Sequence, residues 1–161
     1  MTRREREVTD RNEIIKILDK CKVVHIGLVD KEQPYIVPMN YGYTMDGDNL
    51  TLYLHGAAQG YKLEVMRANP NTCFEMECDV APFEGEVACQ YGTCYSSIIG
   101  RGTAEIVEDV DEKKWAMSIL MKTQTGKDFT FDDRMVSIVS VIKIHVSEYT
   151  AKRRPLPEGL R

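Results

Sequence analysis

The sequence predicts a mainly β fold, a small antiparallel barrel carrying a few helices. Three observations lead there. Several segments alternate apolar and polar residues with a period of two. Hairpin-type turn signals separate many of them. Strands and helices do not alternate regularly, so a parallel sheet is disfavoured. About six strands and three helices result, and long members bent at glycine suit a closed or split barrel.

The first element is a helix. Asp10 offers an N-cap, Glu13 stands at capping-box spacing, and Ile14, Ile17, Leu18 and Cys21 fall at i, i+3, i+4 and i+7. A strand follows in "KVVHIGLVD", with Val24, Ile26 and Leu28 on one face and His25 on the other. "DKEQ" turns the chain into "PYIVPMNYGY", where Tyr35, Val37 and Met39 alternate with Ile36, Pro38 and Asn40. Pro38 cannot donate to a ladder, so this strand is expected at an edge, at a bulge, or facing something other than a strand. After the turn "MDGDN", Leu50, Leu52 and Leu54 alternate with Thr51 and Tyr53.

The third strand then runs into "LYLHGAAQGYK", a strand-to-helix corner holding His55, two glycines and Lys62. Free N–H groups at a helix start with a cation among them make an anion site. An ordinary connection whose glycines merely allow the turn has the same composition. The helix "GYKLEVMRA" stops at "NPN", "TCFEMECD" is the fourth strand, and "VAPFEGEVACQYGT" reads as a loop. "CYSSIIGRGTAEIVE" is a long strand with Gly100 and Gly102 at a bend. Asp109 or Asp111 caps a helix carrying Trp115, Ile119, Leu120 and Lys122. The last strand puts Val136, Ile138, Ser140, Ile142, Ile144 and Val146 on one face, and Val139, Val141, Lys143 and His145 on the other. Both faces carry apolar residues, which a second protomer against the outer face would explain.

The 161 residues predict one domain, 1–161, with its core at about 8–154. Hydrophobic residues are 43% and charged residues 29%, the profile of a globular protein in water. A net charge of −4 and a pI near 5.4 give no basic field for nucleic acid or anionic lipid. No run is long enough to span a membrane, and "MTRREREVTD" has no apolar signal region, so a cytoplasmic protein is expected. Five cysteines, Cys21, Cys73, Cys78, Cys89 and Cys94, lack the spacing of a zinc knuckle and read as reduced thiols; no metal is expected.

With these elements placed, the sequence resembles the FMN-binding split-barrel proteins, the pyridoxamine-phosphate-oxidase-like superfamily, nearest to its nitroimidazole-resistance branch. The matching pieces are "CKVVHIGLVDKEQPYIVPMNYGY", "LTLYLHGAAQGYKLEVMRANPNTCFEME", "YSSIIGRGTAEIVED" and "VIKIHVSEYTAKRR", in the expected order. The resemblance implies a six-stranded antiparallel split β-barrel with Greek-key-like connections, forming a homodimer with FMN at the subunit interface. It assigns Val37, Pro38, Met39, Asn40 and Tyr41 to the isoalloxazine ring, largely through backbone groups. It assigns His55, Gly56, Tyr61 and Lys62 to the phosphate end, and Ser97 to a polar contact with the cofactor. The second strand carries no Arg or Lys, and the tail "AKRRPLPEGLR" lacks the phosphate oxidases' substrate motif, so pyridoxine phosphate is not the expected substrate.

The implied activity is FMN-dependent oxidoreduction, in the manner of a flavin reductase or nitro-compound reductase. Electrons would come from NAD(P)H or another donor and go to a small planar acceptor. No nucleophile or triad is expected, because the flavin carries the chemistry; His55 is the candidate proton donor. A non-catalytic flavin or haem binder, and a deazaflavin-dependent reductase, are the alternatives.

Overall fold

A computed structural model describes residues 3–157. In chain order the elements are β1 (Glu7–Val8), α1 (Arg11–Lys20), β2 (Val24–Asp30), β3 (Gln33–Met39), β4 (Tyr41–Asp46), β5 (Asn49–Ala57) and α2 (Tyr61–Ala68). They continue with β6 (Asn71–Phe83), β7 (Gly92–Val107), α3 (Val110–Thr125), α4 (Asp133–Ser137) and β8 (Val139–Arg154). The helices begin as their residues dictate. The Asp10 side chain accepts from the Glu13 N–H at 3.0 Å, and Asp109, rather than Asp111, caps α3 by accepting from the Glu112 N–H at 2.8 Å. Gly126 ends α3 in the left-handed region at φ 73°.

All strands belong to one antiparallel sheet in the order β3-β2-β6-β7-β8-β5-β4, with β1 added to β8. The sheet's two edges, β3 and β4, are successive stretches of chain separated only by Asn40. The barrel is therefore split, with a sheet that does not close.

The sequence pattern differs from this in three places. The single strand expected over 34–43 is two, because side chains replace ladder bonds at the break. The Asn40 amide donates to the Lys22 carbonyl at 3.0 Å, and Gln124 from α3 donates to the Tyr41 carbonyl at 2.7 Å. With β1, this raises the strand count to eight. The expected loop over 80–93 shortens: β6 passes a bulge between Cys78 and Ala81, where Asp79 takes φ 57°, and continues to Phe83. The last strand starts at Val139, because Asp132 accepts from the Met135 N–H and begins α4, so Val136 and Ile138 are not strand residues.

The main core lies inside the barrel, with Val24, Ile26, Leu28, Leu50, Leu52, Leu54, Phe74, Met76, Ile98, Ile142 and Ile144 closed beneath α1 and α2. A second cluster, Tyr53, Val107 and Val141 with Ala116, Met117 and Val136, lies between the outer face of the sheet and α3 and α4. The outer apolar residues of β8 at Val141 are thus covered by this chain's own helices, and a second protomer is not needed to explain them. Helix α3 reaches that face because Gly42 has no side chain: a Cβ there would stand 2.5 Å from the Leu120 nitrogen and 2.8 Å from the Ile119 carbonyl carbon.

Candidate functional site

The register of β4 against β5 ends at the pair Tyr41–Leu54, so His55, Gly56 and Ala57 have a neighbour on one side only, in β8. Strand β3 likewise pairs only with β2. The split in the barrel is therefore bordered by two backbone edges, residues 55–57 and 33–39, whose polar groups on the side of the split have no strand beside them. The Met39 side chain links the two edges, since its Cε lies 3.9 Å from where a Gly56 Cβ would be. Such edges bind whatever offers a matching row of donors and acceptors. Pro34 and Pro38, four residues apart on β3, are tolerated because the missing N–H groups face no strand.

Alternation fixes which way each side chain points. On β5, Leu50, Leu52 and Leu54 face the core, which turns His55 outward with Tyr53 and with its register partner Val141. His55 is half-buried, and its Nδ1 is buried with no hydrogen-bond partner among the described residues. A buried polar nitrogen left in this state is costly, and a bound group could satisfy it. Gly56 faces the other way, and Lys62 folds back over it: a Gly56 Cβ would meet Lys62 Cε at 2.9 Å and Nζ at 3.2 Å. Gly60, at φ 149°, precedes α2 and supplies no side-chain cap, so the N–H groups of the first turn remain open apart from Leu63 to the Gly60 carbonyl. Lys62 is half-buried and forms no salt bridge among the described residues. Free N–H groups, a helix start and an unpaired ammonium are the elements from which an anion cradle is built.

The other residues singled out by the sequence are distributed around this opening. Val37 and Met39 turn into the core, while Pro38 and Asn40 are exposed. The Tyr41 side chain is fully buried and its hydroxyl donates to the Leu18 carbonyl at 2.6 Å, leaving only its backbone near the split; burial pushes its ionisation well above the ordinary tyrosine range. Tyr61 turns away from the cradle, donating to Asp30 and meeting Tyr35 edge-on with ring centroids 5.6 Å apart. The Asp30 carboxylate holds its hydroxyl protonated to higher pH than usual.

Ser97 lies elsewhere. Strand β7 is separated from β5 by β8 and from β3 by β6 and β2, and Ser97 faces out of the barrel between Glu77 and Lys152. Its neighbour Ser96 is buried and accepts from the Arg153 guanidinium at 3.1 Å. A cavity of about 620 Å³ between the C-terminal ends of α1 and α3 contains none of these residues. Its Lys22 is already engaged, donating to the Asp19 and Thr123 carbonyls.

One grouping had no signal in residue spacing. His25 on β2 stands directly opposite Glu75 on β6, with Glu77 two residues along on the same outer face. Burial, then the neighbouring Glu77, pushes the Glu75 carboxyl up to about 7, against a smaller opposing effect of His25.

Comparison with known proteins agrees with this architecture. Residues 10–153 match the family described as pyridoxamine 5'-phosphate oxidase. A candidate 5-nitroimidazole antibiotic resistance protein from Bacteroides thetaiotaomicron is 33% identical, with 91% of this chain and 86% of that one covered and a TM-score of 0.77. A flavocytochrome from Azotobacter vinelandii (17% identity, 98% and 73% covered, TM-score 0.78) shares the fold. So does a FAD- and haem-binding protein from Mycobacterium smegmatis (16% identity, 95% and 76% covered, TM-score 0.79). Among curated proteins none matches significantly. No helix among the described residues is long and apolar enough to cross a membrane.

Proposed function

Because the chain belongs to the pyridoxamine 5'-phosphate oxidase family, we propose that it is an FMN-dependent oxidoreductase that passes electrons to a small planar acceptor. The observation that carries this reading is Lys62, a half-buried lysine without an acidic partner among the described residues, folded over Gly56 at an uncapped helix start on the rim of the split barrel. A phosphomonoester brings about −1.5 to −2 charges and three acceptor oxygens, which suits one ammonium and a row of free N–H groups.

The residues present fit the cofactor. Lys62 and the N–H groups of Tyr61 and Lys62 would hold the phosphate. The open backbone edge at Val37, Pro38, Met39, Asn40 and Tyr41 would line the ring, and Pro38 would leave room there because it presents no N–H. The orphaned Nδ1 of His55 would gain a partner and hold a proton beside the acceptor. Ser97 would join from the partner protomer of a homodimer, because within one chain it faces away from the split, and the cofactor would then lie at the subunit interface. Bound FMN supplies the redox chemistry, taking electrons from NAD(P)H or another donor.

The 33% identical Bacteroides protein supports a nitro compound as the acceptor class. The absorption spectrum of the purified protein, before and after adding FMN, tests the reading. Flavin bands that persist through gel filtration are expected. A Soret band instead would favour a haem binder, and FMN that binds yet is never reduced or reoxidised would favour a carrier.

A further inference from the structure

We propose that His25, Glu75 and Glu77 form a binding site for a divalent transition-metal cation on the outer face of the sheet. Register brings the ligands together. His25 is the cross-strand partner of Glu75, so its ring hangs beside that carboxylate, with Nδ1 3.4 Å from Oε2. Glu77 follows on the same face with a period of two. One ligand atom from each of the three lies within 4.8 Å of the other two. Ligands at about 2.0–2.2 Å from one ion lie roughly 3.0–3.5 Å apart, so the His25–Glu75 spacing already suits shared coordination and Glu77 needs only a rotamer adjustment.

The charges around the group are unbalanced in the direction a cation would correct. Among the described residues, Glu75 has His25 as its only ion-pair partner and Glu77 has none. The residues facing them across β7, Ile99 and Ser97, carry no charge. Like charges close together on one sheet face are destabilising, and a cation held between the two carboxylates and the imidazole would offset that repulsion. One imidazole nitrogen and two carboxylates leave coordination positions for water and suit Mn²⁺, Fe²⁺ or Zn²⁺ rather than a soft ion. Pro38, opposite His25, and Ser97, opposite Glu77, flank the group.

The test is titration of the full chain with Mn²⁺, followed by loss of the free-ion electron paramagnetic resonance signal. Mn²⁺ prefers oxygen and nitrogen ligands, so the free cysteines contribute little. One ion bound per chain is expected, displaced by Zn²⁺, which lies higher in the affinity order. His25→Ala and Glu77→Gln should each weaken binding more than about tenfold, with unchanged circular dichroism and thermal unfolding. Glu148→Gln, elsewhere on the outer surface, should bind as the wild type does. No loss of free Mn²⁺ up to millimolar concentration overturns the site, as do the two variants binding with wild-type affinity. Glu77 is exposed and glutamine is its near-isostere, so a folded variant is available even if His25→Ala is unstable.

Discussion

Lys62 occupies the space that a side chain at position 56 would take: its Cε would lie 2.9 Å from a Gly56 Cβ. The glycine at the end of β5 is therefore what lets a lysine in the first turn of α2 fold back over the corner. Its ammonium is held at the split rather than extended into water, and Met39 supports the same spot from β3.

This relationship sets the first prediction. Lys62→Ala removes a charge-assisted contact worth about 1.5–3 kcal/mol, so FMN should bind roughly tenfold to 150-fold more weakly. Riboflavin, which lacks the phosphate, should bind the variant and the wild type alike. Gly56→Ala should weaken FMN in the same direction with little loss of stability, because only the flexible end of a lysine must move. Titration calorimetry with both ligands decides the matter; equal FMN affinity in Lys62→Ala would make Lys62 an ordinary solvated lysine.

Gly42 gives a prediction about stability alone. A methyl group there would run into the backbone of α3 at Ile119 and Leu120, and backbone cannot rotate aside as a lysine tip can. Gly42→Ala should cost at least about 1–3 kcal/mol, the usual range for overpacking. For a domain of this size each kcal/mol moves the melting temperature by about 2–4 °C. An unchanged melting temperature would mean that α3 is not seated on β4 as described.

Most of the barrel was legible from alternation, because one buried face per strand leaves a clear period of two, as in β2, β5 and β6. The break at Asn40 was not legible. It depends on Gln124, more than eighty residues away, donating to the Tyr41 carbonyl, and no local pattern records that bond. The start of β8 was misread because Val136 and Ile138 continue a strand-like alternation, whereas the Asp132 cap starts a helix that holds Val136 and ends before Ile138. The corner at His55 to Lys62 stood out in the sequence as a candidate anion site, although an ordinary turn has the same composition. Its position on the split was not legible, because that follows from where β4 stops pairing. The His25–Glu75–Glu77 group depends entirely on the register of β2 against β6.

The covering of β8 by α3 and α4 changes what Val141 should report. Val141 is 1% exposed and packs on Tyr53, Val107 and Met117 of its own chain. Val141→Asp buries an unpaired charge and should destabilise the protomer itself by roughly 3–5 kcal/mol. Association is better probed at Ile99, which is 53% exposed and shares the outer face of β7 with Ser97. Ile99→Lys should leave the fold intact, shift sedimentation from dimer to monomer, and release FMN with the partner. A wild-type monomer that retains flavin would remove the shared site.

His55 carries the last prediction. Its Nδ1 is buried and has no hydrogen-bond partner among the described residues, a state that costs about 1–3 kcal/mol. His55→Leu keeps much of the volume and removes the orphan, so without cofactor the variant should melt at the same temperature or a few degrees higher. With FMN the order should reverse, because only the wild type can offer the nitrogen to a bound group. The measurement is the rise in melting temperature on adding saturating FMN, which should be smaller for the variant. If His55 also delivers a proton to the acceptor, reoxidation of the reduced, FMN-loaded variant by a nitroaromatic compound should slow in stopped flow. General acids typically contribute about 10² to 10⁴ in rate, and less where single electrons move without a proton. A variant that is less stable without FMN, gains the same rise on binding it and is reoxidised at the wild-type rate would leave His55 as a packing residue beside Tyr53 and Val141.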